Sequence, residues 1–154
     1  MLLQSKGNLI DLAEAGQFDV IVHGCNCQNT MGSGIAREIR QRYPQAYTAD
    51  CEAASNRKNL PGTYSGVKVG KFWIINAYTQ FHYLPRGKDH FEYAGFDNIL
   101  NELYKEFPKR RFGFPYIGMG LAGGDSKRII NMLEDFAYMV SLSGGSVTLV
   151  EFVP

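Results

Sequence analysis

Hydrophobic positions along the chain switch repeatedly between two spacings. Phe18–His23 (FDVIVH) is a short, nearly continuous apolar run rich in β-branched residues. That pattern predicts a strand buried on both faces. From Ser33 the spacing changes: Ile35, Ile39 and Tyr43 recur at intervals of four, with Arg and Glu between them. This predicts a helix, which Pro44 breaks or restarts, and Ala46–Ser55 predicts a second short helix. Gly62–Lys68 and Phe72–Tyr78 (FWIINAY) predict two strands around a turn at 69–71. A loop rich in aromatic and charged residues, Gln80–Asp89, follows. Phe96, Ile99, Leu100, Leu103 and Phe107 mark an amphipathic helix ended by Pro108. Arg111–Ile117 (RFGFPYI) predicts a strand, although Pro115 removes one ladder donor from it. A glycine-rich turn comes next, and Asp125 or Ser126 caps a helix whose buried face is Ile129, Leu133, Phe136, Ala137 and Val140. Ser146–Phe152 predicts the last strand.

Strands alternate with helices for most of the length. That order predicts an α/β fold with a mostly parallel sheet covered on both sides. In such sheets ligands sit outside the carboxyl ends of the strands. Both glycine-rich segments directly follow a strand, so both are expected on one rim, facing one cleft.

Composition narrows this picture. The length of 154 residues predicts a single domain, 1–154, with hydrophobic residues at 45% and charged residues at 20%. The net charge is +1, which gives no electrostatic case for a membrane surface and little for a nucleic-acid partner. The apolar runs are too short to span a bilayer. Three cysteines and a start without a basic signal-like region point to a reducing, cytoplasmic setting with free thiols.

The chemistry-bearing residues concentrate in the two loops. Gly32, Ser33 and Gly34 precede a helix, where close-approaching backbone N–H groups and the helix start favour an anion, or simply form a tight turn. Gly118–Gly123 (GMGLAG) matches the GxGxxG fingerprint, yet only one helix and one strand remain after it. No dinucleotide half-domain fits there, so hydride transfer is rejected and phosphate cradling kept. Cys25 and Cys27 form a CxC that lacks the partners of a zinc site, and neither a metal nor a cofactor is expected. His23 ends a buried strand: it is either a core histidine or an imidazole aimed into the cleft. Asp125 is a helix cap, which does not exclude a second role. Asn26 is a turn former or a sugar-hydroxyl ligand.

Taken in order, DVIV-HGCN-CQNTM-GSGIA, the following RYPQAY, the opening KGNLIDL and the second loop IGMGLAGGD resemble a macrodomain. The tetrad His23-Gly24-Cys25-Asn26, with His in place of the usual first Asn, resembles the branch containing ADP-ribose 1''-phosphate phosphatases. The resemblance implies a three-layer α/β/α domain with a central mixed, mostly parallel sheet and an ADP-ribose cleft. It implies Asn26 at the distal ribose, and Gly32, Ser33 and Gly34 along the distal ribose and diphosphate. Gly118, Met119, Gly120, Leu121, Ala122 and Gly123 would cradle the diphosphate from the other side. Asn8 stands where an acidic residue commonly receives the adenine amino group, and Phe152 is the implied adenine stacker. Leu9, Gly24, Met31, Ile35, Gln80 and Ile117 complete the implied lining.

Departures from the family pattern shape the functional reading. A relative that removes ADP-ribose from glutamates uses a lysine where this chain has Gln80, and an early loop acid where it has Ala122. Ser126 replaces a common Trp. The leading expectation is therefore a metal-independent phosphatase converting ADP-ribose 1''-phosphate to ADP-ribose and phosphate, with His23 and Asp125 as its acid–base pair. Small-molecule ADP-ribose derivatives are the expected partners. An ADP-ribosyl hydrolase acting on protein or nucleic acid, a non-catalytic ADP-ribose reader, and a domain with purely structural loops are the other readings.

Overall fold

A computed structural model describes residues 1–32, 34–82, 88–120 and 122–154. Its elements run β1 (Leu2–Gly7), α1 (Leu9–Glu14), β2 (Val20–Asn26), α2 (Gly34–Arg42), α3 (Pro44–Ser55), β3 (Tyr64–Val69), β4 (Phe72–Gln80), α4 (Tyr93–Glu106), β5 (Arg111–Phe114), α5 (Ser126–Leu142) and β6 (Ser146–Phe152). Among the described residues the strands form one sheet in the order β1-β6-β5-β2-β4-β3. Pairing is parallel throughout except for the β3–β4 hairpin at one edge. The sheet is thus mixed and mostly parallel.

Helices cover both faces. Leu9, Ile10 and Ala13 of α1, Ile39 of α2 and Ala46 of α3 pack with Ile21, Cys25, Ile74 and Tyr78 on one face. Phe96, Ile99, Leu100 and Leu103 of α4 and Ile129, Leu133, Phe136 and Val140 of α5 pack with Val20, Val22, Ile75 and Phe112 on the other. The side chains of β2 and β4 therefore serve both cores in alternation, which explains their nearly continuous apolar runs. Asp125 caps α5, accepting from the Arg128 N–H at 3.2 Å, as the sequence predicts.

Two elements lack a sequence signal. β1 is an edge strand in which no residue is fully buried, so it carries no continuous apolar run. α1 spans six residues, too short to establish a period. The strand expected over Arg111–Ile117 ends at Phe114, just before Pro115.

Candidate functional site

The strand ends build the site. β1, β6, β5, β2 and β4 run parallel, so their carboxyl ends share one rim. β2 and β5 are neighbours, yet β2 leads to α2 on one face and β5 leads to α5 on the other. A crevice opens where adjacent strands send their connections to opposite faces. The loops that leave these two strands are the two glycine-rich segments. The sequence expectation that they face one cleft is met: Gly32, Gly34, Gly118 and Gly120 line the same space. Ser33 and Leu121 lie outside the described residues.

The cleft has two adjoining arms that share Gly34, Ile35 and Pro115. The larger is about 510 Å³ and the smaller about 360 Å³. Each falls within the roughly 300–1,000 Å³ usual for small-molecule sites. Gly24, Asn26, Met31, Gln80, Ile117 and Ala122 line the larger arm, as expected. So do residues that the sequence pattern does not single out, among them Thr30, Asp50, Thr79 and Tyr116. Among the described lining residues of both arms there is no Lys or Arg. The charged residues among them are the carboxylates Asp50, in the larger arm, and Glu38, in the smaller.

Backbone geometry holds the rim in shape. Gly34 opens α2 at φ +58, in space where a Cβ would touch nothing within 4 Å. Gly118 at φ +73 is different: a Cβ there would lie 2.3 Å from the Phe91 ring. Glycine is needed at Gly118 both for its left-handed backbone and for its packing. Gly124 N–H donates to the Gly118 carbonyl at 2.8 Å and closes the loop. Gly123 and Met119 do not line either arm. Gly123 packs against the carbonyl of Lys88, and Met119 against the core.

The smaller arm is mainly apolar and is formed by Leu9, Asn8, Glu38, Val150 and Phe152 around the shared residues. Phe152 is 64% exposed, which leaves a ring face available. Asn8 also has a structural role. Its carbonyl oxygen already accepts the N–H groups of Ile10 and Asp11 at 2.9 and 3.1 Å, and its amide donates to Glu38 at 2.9 Å. Its carbonyl oxygen thus caps α1 while the residue lines the smaller arm.

The expected acid–base pair does not assemble. His23 is 1% exposed and does not line the cleft. It shares the strand face of Ile21 and Cys25, so its ring lies in the core beneath α3. Nε2 is 2.7 Å from Asn76 Oδ1. Both amide hydrogens of Asn76 are committed, to the Ala46 carbonyl and to Ser65 Oγ at 3.0 Å each. Its carbonyl must therefore accept, and His23 carries its proton on Nε2. Burial pushes the His23 pKa down to about 4, with the Asn76 bond opposing only in part. The imidazole is neutral at physiological pH. Asp125 is exposed at the start of α5 and lies outside both arms. Its carboxylate caps the helix, and its N–H donates to the Tyr93 hydroxyl at 2.8 Å.

His23 instead begins a chain of hydrogen bonds that ends in the cleft. Asn76 donates to Ser65, Ser65 Oγ lies 2.7 Å from the Tyr78 hydroxyl, and that hydroxyl donates to Asp50 Oδ1 at 2.7 Å. Burial raises the pKa of Asp50, opposed by the Tyr78 bond. The nearby thiols are held protonated: burial and the Asp50 charge push Cys27 up to about 12 and Cys25 well above its usual range. All three cysteines are free. Among the described residues, no group of three or more His, Cys, Asp and Glu is placed to hold a metal ion. Nor is any described helix long and apolar enough to cross a membrane.

Comparison with known proteins agrees with this geometry. Residues 22–133 match the family model described as Macro domain. The uncharacterized 17.5 kDa protein of the tk-vs intergenic region of Enterobacteria phage T4 is 31% identical over 142 residues, covering 86% of this chain and 87% of that one. The DNA ADP-ribosyl glycohydrolase of Mycobacterium bovis is 26% identical over 95% of this chain, which spans only 44% of that protein. The ADP-ribose 1''-phosphate phosphatase of Candida albicans is 25% identical over 88% of this chain and 94% of its own length. The solved macrodomain of Mycobacterium tuberculosis DarG superposes with a TM-score of 0.80 at 23% identity, covering 97% of each chain.

Proposed function

The chain belongs to the macrodomain family, and from that footing we propose that it binds ADP-ribose in the rim cleft and hydrolyses the link between the distal ribose and its substituent. One observation carries this reading. A mainly apolar arm ending at Phe152 adjoins a larger arm bracketed by two glycine-rich loops. Adenine fits the first, by stacking and burial. A diphosphate suits the larger arm next to that junction, which Gly32, Gly34, Gly118 and Gly120 line with backbone uncovered by a side chain. The terminal ribose then falls among Asn26, Thr79 and Gln80, which offer neutral polar groups.

ADP-ribose 1''-phosphate is the first substrate to test, because the similarity to the Candida phosphatase runs nearly the full length of both chains. With His23 buried, positioning and main-chain stabilisation supply the catalysis rather than an imidazole. A second reading has its own support. Asp50, a carboxylate, lines the larger arm, where no described Lys or Arg stands to neutralise a further phosphate. That favours a neutral attachment, such as an ADP-ribosylated base of the kind named in the Mycobacterium bovis relative. The balanced net charge argues against a broad nucleic-acid surface, not against one modified nucleotide in the cleft.

Titration calorimetry with ADP-ribose tests the binding claim. Parallel assays then measure phosphate release from ADP-ribose 1''-phosphate and ADP-ribose release from ADP-ribosylated DNA. Binding with turnover of either substrate supports the proposal, and turnover chooses between its two forms. Binding without turnover of either reduces the protein to a reader, and no binding refutes the cleft assignment.

A further inference from the structure

Asp50 enters the reading above only as a negative charge on the wall of the larger arm, yet one of its oxygens is buried without a partner. α3 brings it to the wall of the larger arm, beside Cys25 and Asn26. It is 1% exposed. One carboxylate oxygen is fixed: Oδ1 accepts from Tyr78, whose hydroxyl is tied through Ser65 and Asn76 to His23. Every member of that chain has its partners, so the carboxyl group is held in one orientation. The other oxygen, Oδ2, is buried with no hydrogen-bond partner.

An unpartnered buried acceptor is costly, and a folded protein rarely keeps one without a use. The groups beside it do not neutralise it. Cys25 and Cys27 are protonated thiols, and no described Lys or Arg lines the arm. What Oδ2 lacks is a hydrogen-bond donor, and a phosphate oxygen would be repelled from it. A sugar hydroxyl is neutral and donates.

We propose that Asp50 is a specificity-determining residue: its free oxygen accepts a hydrogen bond from a hydroxyl of the terminal ribose, and this selects ADP-ribose over ADP. The proposal rests on the reading that ADP-ribose occupies the cleft with its adenine at Phe152. Within it, His23, Asn76, Ser65 and Tyr78 are positioning residues that aim the carboxylate.

The test is calorimetry of the wild-type protein, Asp50→Ala and Asp50→Asn with two probes, ADP-ribose and ADP. Wild type should bind ADP-ribose more tightly than ADP. Asp50→Ala should weaken ADP-ribose binding about tenfold or more, the usual loss of a charge-assisted hydrogen bond, and leave ADP within about twofold. Asp50→Asn keeps an acceptor for Tyr78 and places a donor where the free oxygen stood, so an intermediate loss confined to ADP-ribose is expected. ADP affinity reports the integrity of each variant. If Asp50→Ala fails to bind ADP, Asp50→Asn alone decides. The proposal is overturned if the variants that bind ADP normally also bind ADP-ribose like wild type. If wild type itself binds neither ligand, the ADP-ribose reading has failed, independently of Asp50.

Discussion

Removing the His23 imidazole separates a structural histidine from a chemical one. His23→Ala deletes a ring that is 1% exposed and whose Nε2 lies 2.7 Å from Asn76. The Asn76 carbonyl is left buried without its donor, at a cost of about 1–3 kcal/mol, and the vacated space adds to it. At neutral pH the variant should therefore lose about 2–5 kcal/mol of unfolding free energy. The pH dependence is more diagnostic. The folded-state pKa is about 4 against an ordinary 6.5. Between those values the unfolded chain binds the proton and the folded chain does not, so stability rises with pH across that window. On acidification from about pH 7.5 to about pH 4.5, this one group costs wild type about 2–3 kcal/mol, which the variant does not lose. Urea unfolding of both proteins at the two pH values measures the double difference, in which all other titrations cancel. The gap between the proteins should shrink by about that amount in acid. Turnover per folded molecule should stay within about fivefold, equivalent to about 1 kcal/mol of transition-state stabilisation. A pH-independent gap, or lost turnover with unchanged stability, would show that the ring stands in the cleft and is charged there.

Other perturbations follow from the same geometry. Gly118→Ala should lower stability by more than about 2 kcal/mol and cost ligand binding, because its Cβ would lie 2.3 Å from Phe91 at φ +73; thermal melting reads the first effect and calorimetry the second. Gly34→Glu has room for its Cβ but puts bulk and negative charge where the two arms meet. It should reduce ADP-ribose affinity at least about tenfold for about 1 kcal/mol of stability, and unaltered affinity would count against the cleft. Phe152→Ala removes an exposed ring. It should weaken ADP-ribose and AMP binding alike by about tenfold while the melting temperature holds, since a stacked ring contributes about 1–2 kcal/mol. Asp19 accepts from the Arg111 side chain and backbone N–H, and its pKa is lowered chiefly by that pairing. Its contribution is present above the ordinary carboxylate range and fades as pH falls, so Asp19→Asn should destabilise by only about 1 kcal/mol at neutral pH, and by less in acid.

Legibility in the sequence followed burial. The strands and helices around the two cores announced themselves, because Phe18–His23 and the α5 face from Ile129 to Val140 bury what the pattern says they should. β1 and α1 were silent for the opposite reasons of exposure and brevity. The shared rim was legible because glycine-rich segments placed directly after parallel strands have one place to go. The direction of His23 was not. A strand buried on both sides gives alternate residues to each core, and nothing in FDVIVH says which parity faces the cleft. Asn8 was named from its place in the family pattern, and its second role as the cap of α1 was not legible because six residues set no helical period. Asp50 left a faint trace: it stands one helical turn after Ala46, so an acid occupies the buried, small-residue face of α3.

The junction of the two arms is formed by Gly34, Ile35 and Pro115, and no Lys or Arg stands among the described residues that line either arm. A donor that belongs to the main chain is deleted only by a change to proline, and acetylating or otherwise capping lysines leaves it in place. Alanine scanning of the side chains beside the glycines would report little about such a donor. Damage comes from proline or from additions, when a glycine gains a side chain, as in Gly118→Ala, or the loop gains a residue. Homologues can therefore drift far apart in letters while the spacing of their glycines stays fixed.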